Sequence, residues 1–254
     1  IEFGVENRDV VRCVNFQPVS ITGRIDYEAR QQMRSTIPDC IKLIEEQTDG
    51  KIPVDAWFPV PAMMPLGRGL GLMKGTPQLE LSSHFACGMS TFLYIEDDGS
   101  YEPITELIDV EKFIELFAEI SNLYADEKRA ASKRAKAKLA AGIRHIKRKG
   151  VMLNLLKAFL NRGDYDSLSE FMERVIMIGM MHFQDPYNID LERVQHCDIN
   201  YSVPDGRIIP FCTMNTIHRA HLEKKFGIPI EEWRKRSKPD KMEEESITKP
   251  YTSD

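Results

Sequence analysis

The sequence predicts a fold that mixes helices and strands, in the range from α/β to α+β. Two segments, 91–104 and 198–211, have strand-like residues on both sides of a turn, and each predicts a β-hairpin. Between them, residues 109–124 place apolar side chains at helical spacing, and a strand pattern lies near the start, at 9–20. We therefore expect a mostly helical chain with one early strand and two hairpins.

The composition is that of an ordinary globular protein. Of the 254 residues, 42% are hydrophobic and 29% are charged, and the net charge of −5 gives no overall attraction to nucleic acid. The sequence contains no run of about 18 apolar residues, so it predicts no membrane span. Five cysteines, an odd number without regular spacing, fit a reducing cytoplasm better than a secreted disulfide framework. Because the chain begins at Ile1 within a folded pattern, we expect it to be a piece of a longer protein.

The first third of the chain predicts a strand, two helices and a loop. Asn15, Gln17 and Arg24 lie at or beyond the C-terminal end of the strand pattern, where they either border a site or are simply solvated. Residues 27–48 predict two helices, the second of them beginning at a Thr36 cap. Residues 55–76 are expected to form a loop, and their glycine spacing matches no phosphate-binding motif. Because this loop is apolar, it could line a pocket.

Three of the five cysteines stand beside the predicted hairpins. Cys87 precedes the first hairpin, and Cys197 and Cys212 flank the second, with a turn centred on Asp205. Directly opposite residues of an antiparallel pair have Cα atoms about 4.5–5.5 Å apart, close enough to share a metal site or a disulfide. From the residues alone, structural cysteines, zinc and an iron–sulfur cluster all stay open. The other two, Cys13 and Cys40, lie in apolar patterns and are expected in the core.

The region between the hairpins is predicted to be helical and, in one part, strongly basic. Residues 128–149 contain ten Lys and Arg residues, and Glu127 is the only acid in 127–149. A solvated helix and a surface for an anionic membrane are both open, whereas the lack of aromatic residues argues against nucleic acid. The apolar segments 151–160 and 168–181 are expected to be helices packed on the core. After Trp233 the composition predicts a disordered tail, at 237–254.

Three segments resemble those of a group of radical S-adenosylmethionine (SAM) proteins, mostly archaeal, that includes the tetraether lipid synthases. They are VNFQPVSITGR at 14–24, HFACGMSTFLYIEDDGSYEPIT at 84–105 and CDINYSVPDGRIIPFCTMN at 197–215, in the family's order. The resemblance implies that residues 1–26 end a radical SAM partial barrel and that residues 27–236 form a C-terminal domain. It also implies that Asn15, Gln17 and Arg24 bind a cofactor or border the active site.

The resemblance further implies an auxiliary 4Fe-4S cluster held by Cys87, Cys197 and Cys212. Family members often have another cysteine where Ser82 and Ser83 stand, so the fourth ligand is open between His84, His196 and a cysteine outside this chain. No cysteines here have the CxxxCxxC spacing that holds the SAM-cleaving cluster. The complete enzyme would therefore need an N-terminal radical SAM core as its partner, and this chain alone should be inactive.

For the function, the resemblance favours radical carbon–carbon bond formation, such as the coupling of lipid tails, on a hydrophobic substrate. The first alternative is a radical SAM relative that acts on a pterin or another small molecule. The second, from a different class, is a non-catalytic binding module stabilised by zinc. The expected location is the cytoplasm, at a membrane surface if the basic helix serves a lipid substrate.

Overall fold

A computed structural model describes residues 1–126, 131–150 and 171–236 of the chain. In this part the strands form a five-stranded sheet and a separate two-stranded sheet. The strands of the larger sheet are β1 (Cys13–Phe16), β2 (Phe58–Pro59), β3 (Gly88–Ile95), β4 (Tyr101–Pro103) and β5 (Val175–Met181). The smaller sheet pairs β6 (Asn200–Ser202) with β7 (Ile208–Pro210).

The five-stranded sheet is mixed in direction. β1 runs parallel to β5, with Cys13 beside Met177 and Phe16 beside Met180. β3 lies antiparallel on the other side of β5, and its far edge pairs with both β2 and β4. The C-terminal ends of β1 and β5 therefore meet the N-terminal end of β3 at one end of the sheet. The predicted boundary at residue 26 falls between β1 and the other four strands of this sheet. The division into these domains stays a prediction.

The expectation of a mostly helical domain misses this central sheet, although antiparallel pairs occur at both predicted hairpins. Within the described ranges, the sheet does not close into a barrel. The assignment of residues 1–26 to a radical SAM partial barrel stays a prediction.

Helices cover both faces of the larger sheet and follow the smaller one. The first seven are α1 (Glu2–Glu6), α2 (Tyr27–Met33), α3 (Ile37–Gln47), α4 (Met64–Lys74), α5 (Ile104–Leu107), α6 (Val110–Asp126) and α7 (Ala131–Ala141). The remaining ones are α8 (Leu191–Gln195), α9 (Phe211–Thr213), α10 (Arg219–Phe226) and α11 (Ile230–Arg236), with a π-helical turn at Met214–His218. Short 3-10 turns occur at Val54–Ala56, Val60–Met63, Phe85–Cys87 and Gly142–His145. No helix of the described ranges is long and apolar enough to cross a membrane.

Local sequence explains where α2 and α3 begin. The Asp26 side chain accepts a hydrogen bond from the backbone N–H of Ala29, and thus caps α2. Thr36 and Asp39 form a capping box at the start of α3, where Pro38 lies in the first turn. The apolar positions of α3 then face the sheet: Ile37, Ile41 and Ile44 are buried.

Each face of the sheet packs against its own hydrophobic core. On the first face, Ile176, Ile178 and Met180 of β5 pack with α1, α3 and Trp57. On the second face, Val175 of β5 and Tyr94 of β3 pack with α6 and α7. Because side chains alternate along a strand, the two apolar sets of β5 cover opposite faces, and the strand is buried on both.

The prediction of a helix over residues 168–181 is wrong for Val175–Met181, which form the strand β5. This segment, VIMIGMM, is apolar throughout, so it lacks the alternation that marks a half-buried strand. Met180, expected as core filler, is buried in the first core.

The prediction of a loop over residues 55–76 is wrong for Met64–Lys74, which form the helix α4. Its glycines lie in close contacts that a side chain would obstruct. A Cβ atom at Gly69 would lie 2.8 Å from Cδ1 of Phe117 in α6, and one at Gly67 would lie 2.7 Å from the carbonyl oxygen of Leu79. Glycines that lower helix propensity are thus retained because α4 packs closely on its neighbours.

The basic segment forms a shorter helix than expected, and acids from other elements compensate part of its charge. α7 ends at Ala141. Lys138 forms an ion pair with Glu119 of α6, with Nζ and Oε2 2.6 Å apart, and Arg148 pairs with both Glu96 and Glu102. Contact with an anionic membrane stays a prediction. The predictions for residues 151–170 and 237–254 lie outside the described residues.

Candidate functional site

The end of the sheet where β3 begins and β5 finishes positions the first hairpin cysteine. Cys87 closes a 3-10 turn, and its carbonyl accepts a 3.0 Å hydrogen bond from the N–H of His182. Gly88 permits this approach, because a Cβ atom there would lie 2.8 Å from the carbonyl oxygen of Met180. The thiol of Cys87 therefore lies beside the segment that leaves β5.

The second hairpin cysteine contacts that same segment. Cys212 lies in α9, directly after β7, and its Sγ accepts a hydrogen bond from the backbone N–H of Gln184 at 3.3 Å. Burial raises the pKa of the Cys212 thiol, while this N–H and the charge of Arg193 act in the opposite direction. The thiols of Cys197 and Cys87 add to the rise in the pKa of Cys212, so both lie near this thiol.

The hairpin β6–β7 positions Cys197. Tyr201 pairs with Ile209, so the turn centres on Asp205. In this register Cys212 falls opposite Asp198, and Cys197 lies one residue beyond it. The Cys197 thiol donates to the carbonyl oxygen of Ile199 at 3.0 Å.

Asp198 connects this hairpin to the segment before Cys87. Its carboxylate accepts hydrogen bonds from the Ser82 hydroxyl at 3.0 Å and from the Ser83 N–H at 2.7 Å. The rings of His84 and His196 lie 6.5 Å apart between their centroids. Both proposed histidine ligands are therefore close to the cysteine neighbourhood.

The other two cysteines lie elsewhere. Cys13 is exposed rather than buried, at the opposite end of β1 from the site, and Cys40 packs partly buried against the first core. All five thiols are free. In residues 1–126, 131–150 and 171–236, no group of three His, Cys, Asp or Glu side chains has the arrangement of a single metal-ion site. That Cys87, Cys197 and Cys212 act as cluster ligands stays a prediction.

A buried arginine joins this neighbourhood from α8. Arg193 is 7% exposed, and its Nε donates to Sγ of Cys87 at 3.5 Å while Nη2 donates to the carbonyl oxygen of His182 at 2.5 Å. Burial lowers the pKa of His182, and the charges of Arg193 and Arg34 lower it further. His182 is therefore held neutral beside the thiols at neutral pH.

The loop that follows β1 is tied to the same end of the sheet. The Asp185 carboxylate is fully buried and accepts from the Ile21 N–H at 2.8 Å and from the Arg34 guanidinium at 2.7 Å. The Tyr187 hydroxyl donates to the carbonyl oxygen of Gly23 at 3.1 Å. Because Asp185 directly follows Gln184, which contacts Cys212, the segment before Arg24 is anchored next to the cysteine neighbourhood.

The three polar residues predicted at this end are all exposed. Asn15 lies beside Gly179 of β5, where a Cβ atom would come within 2.9 Å of Asn15 Oδ1. Gln17 follows β1, and Arg24 follows the anchored Gly23. Their binding role stays a prediction.

Sequence reasoning missed Gln184, Asp185, Arg193 and Arg34. The signal for the first two was available, because the polar segment QDPYN at 184–188 directly follows β5. This signal is not evident if VIMIGMM is predicted to be a helix, because polar residues indicate a site when they follow the C-terminal end of a strand.

The second core contains an apolar cavity of about 370 Å³. Met63 and Leu66 line it, as expected for the apolar 55–76 segment, together with Phe92 of β3 and Phe117 of α6. Its described lining is apolar apart from Ser90 and Thr91, whereas thiol, imidazole and guanidinium groups lie at the polar end of the sheet, which is therefore the better candidate site.

Comparison with known proteins shows a similarity over most of this chain. No protein-family profile matches the chain. The chain is similar to the 7,8-dihydro-6-hydroxymethylpterin dimethyltransferase of Methanocaldococcus jannaschii, with 42% identity over 252 residues. The match covers 94% of this chain and 48% of the relative, so the chain spans about half the length of that protein. By its name, the relative is a dimethyltransferase that acts on a pterin.

Proposed function

We propose that this chain is the C-terminal part of a radical SAM enzyme that methylates a pterin. The similarity to the pterin dimethyltransferase over 94% of the chain supports the pterin, and the three segments that resemble radical SAM proteins support the chemistry. The coupling of lipid tails has no support from this relative. The pterin, first considered as an alternative, therefore becomes the main proposal.

The observation that carries the proposal is the convergence at one end of the sheet. There, the ends of β1 and β5 and the start of β3 bring together the thiols of Cys87 and Cys212, a buried arginine and the anchored segment 21–24, and Cys197 lies on the adjoining hairpin. An electron-transfer group and a small polar substrate would thus have binding groups next to each other.

The residues present fit an iron–sulfur cluster by their donor chemistry. Soft thiolates are the preferred protein ligands of such clusters, and N–H groups that donate to the sulfurs tune them. Cys87 and Cys212 already accept such hydrogen bonds, from Arg193 and Gln184. Each thiolate binds a different iron of a cluster, so the ligands need not converge on one point as they do for a single ion.

Under this proposal Cys87, Cys197 and Cys212 would hold an auxiliary 4Fe-4S cluster, with His84 or His196 beside them. When bound, the cluster supplies one-electron chemistry. The chain's own part is to position groups: Asp185 anchors the 21–24 segment, and Asn15, Gln17 and Arg24 offer hydrogen-bonding groups to the polar edge of a pterin. SAM and its cluster would be held by the N-terminal core, since no CxxxCxxC occurs here.

Binding of the pterin itself tests this proposal. We expect purified, iron-reconstituted protein to bind 7,8-dihydro-6-hydroxymethylpterin, measured by fluorescence titration without oxygen. Arg24→Gln should weaken this binding about tenfold, because a hydrogen bond to a charged group contributes about 1.5–3 kcal/mol.

The matched control is Arg234→Gln, which removes the same charge from an exposed arginine of α11. It should bind the pterin as the parent does. A diether phospholipid in detergent serves as the competing ligand. Binding of the lipid without binding of the pterin would contradict the proposal and favour lipid coupling.

A further inference from the structure

Arg193 has an environment that is unusual for a buried arginine. It lies in α8, which is held at its start by Asp190, whose carboxylate caps Glu192 and Arg193. Its guanidinium donates to the sulfur of Cys87 and to the carbonyl oxygen of His182. Neither a neutral thiol nor an amide carries a full negative charge.

Among the described residues, no carboxylate forms an ion pair with Arg193. The nearby Asp185 has its oxygens engaged by Arg34 at 2.7 and 3.2 Å and by the N–H groups of Ile21 and Tyr187. A buried charge is costly unless an opposite charge compensates it. The Cys87 sulfur lies 3.5 Å from Nε of Arg193, so the thiols would compensate this charge once they are ionised.

We infer that Arg193 is a positioning residue of the thiolate site: its guanidinium fixes the Cys87 sulfur and offsets the negative charge of Cys87, Cys197 and Cys212. This inference rests on the proposed function, because the thiolates become permanently charged only when they hold iron. It explains why a long, fully ionised side chain is buried where three sulfur ligands meet.

If Arg193 offsets the thiolate charge, its loss should change the midpoint potential of the cluster, which the loss of a purely structural arginine would not do. Reduction adds one negative charge to a cluster, and a nearby positive charge favours the reduced form. Removing the charge of Arg193 should therefore make the midpoint potential more negative, even where the amount of bound iron is unchanged.

The experiment compares Arg193→Gln, Arg193→Lys and the control Arg219→Gln in protein reconstituted with iron and sulfide without oxygen. Arg219 is exposed and pairs with Glu223, so its loss changes the net charge equally. In a spectroscopic redox titration, Arg193→Gln should lower the midpoint potential by at least about 59 mV, a tenfold change for one electron. Arg193→Lys should restore part of the shift, and Arg219→Gln should match the parent.

A parent-like potential in Arg193→Gln, or an equal shift in Arg219→Gln, would overturn the inference. If Arg193→Gln does not fold, Arg193→Met replaces it as the variant that removes the charge and keeps an unbranched side chain. It should show the same lowered potential, and a parent-like potential in it would overturn the inference.

The same samples separate this inference from the proposed cluster. If the parent forms no iron–sulfur cluster, measured by its iron and sulfide content, the proposed function fails and the inference fails with it. If the parent forms the cluster and Arg193→Gln keeps the parent's potential, the role of Arg193 alone is overturned.

Discussion

Asp185 is the side chain on which the geometry of the candidate site depends most. It is fully buried, and it joins the segment after β5 to the segment after β1 through Arg34 and the N–H of Ile21. The Arg34 side chain is 20% exposed, so the pair is only weakly screened by solvent. This ion pair therefore fixes the segment after β5 relative to the segment after β1.

We predict that Asp185→Asn lowers the free energy of unfolding by about 3 kcal/mol at pH 7. The change leaves Arg34, whose side chain is mostly shielded from solvent, without its anionic partner, which is the costly way to break such a pair. Urea denaturation measures the loss. Asp55→Asn, the same change at an exposed position, is the control and should leave stability unchanged.

The pH dependence of this effect has a definite sign. Burial by itself would raise the pKa of Asp185, but hydrogen bonds from Arg34, Ile21 and Tyr187 lower it below the ordinary aspartate value. The stabilisation is therefore fully present above that ordinary value, and it is lost as the pH falls through the lowered pKa of the folded protein. The stability difference between Asp185→Asn and the parent should therefore shrink as the pH falls below about 4, the ordinary aspartate value. A difference that is constant down to pH 3 would contradict this.

Among the helices, α4 depends on close packing rather than on helix propensity. Gly69 is buried against Phe117 of α6, and a Cβ atom there would lie 2.8 Å from the ring and 3.1 Å from the carbonyl oxygen. The carbonyl oxygen belongs to a helix backbone and cannot move aside as a flexible side chain could.

We predict that Gly69→Ala lowers the free energy of unfolding by about 1–3 kcal/mol, although alanine favours a helix. Gly99→Ala is not suitable because of its positive φ, so Gly150→Ala is the control: a Cβ atom at Gly150 meets no atom of the described residues within 4 Å. Thermal unfolding of the two variants measures the difference. If Gly69→Ala proved as stable as Gly150→Ala, close packing of α4 would not be the reason for its glycines.

The two kinds of strand differ in how well the sequence predicts them. The β6–β7 hairpin is predictable, because Pro204-Asp205-Gly206 supplies turn residues and Gly206 adopts the left-handed conformation with φ 86°. β5 is not, because both of its faces are buried and its sequence is apolar throughout. α4 is missed for a third reason: its glycines are explained only by contacts with residues far away in the sequence.

For the chain as a whole, this difference decides how much of the candidate site is predictable. Cys87, Cys197 and Cys212 stand out because each lies beside a recognisable hairpin. Arg193, Gln184 and Asp185 do not, because their role depends on where β5 ends. Sequence motifs therefore indicate the candidate sulfur ligands, whereas the groups that contact those cysteines follow from the tertiary structure.

We propose that the end of the sheet that brings together β1, β3 and β5 binds an iron–sulfur cluster through three of the five cysteines. The most direct test is the iron content of protein reconstituted without oxygen, compared between five single Cys→Ala variants. We predict that the parent is brown and that Cys87→Ala, Cys197→Ala and Cys212→Ala each bind less iron, while Cys13→Ala and Cys40→Ala bind as much as the parent. Equal iron in all five variants, or a colourless parent that holds zinc instead, would contradict the proposed cluster.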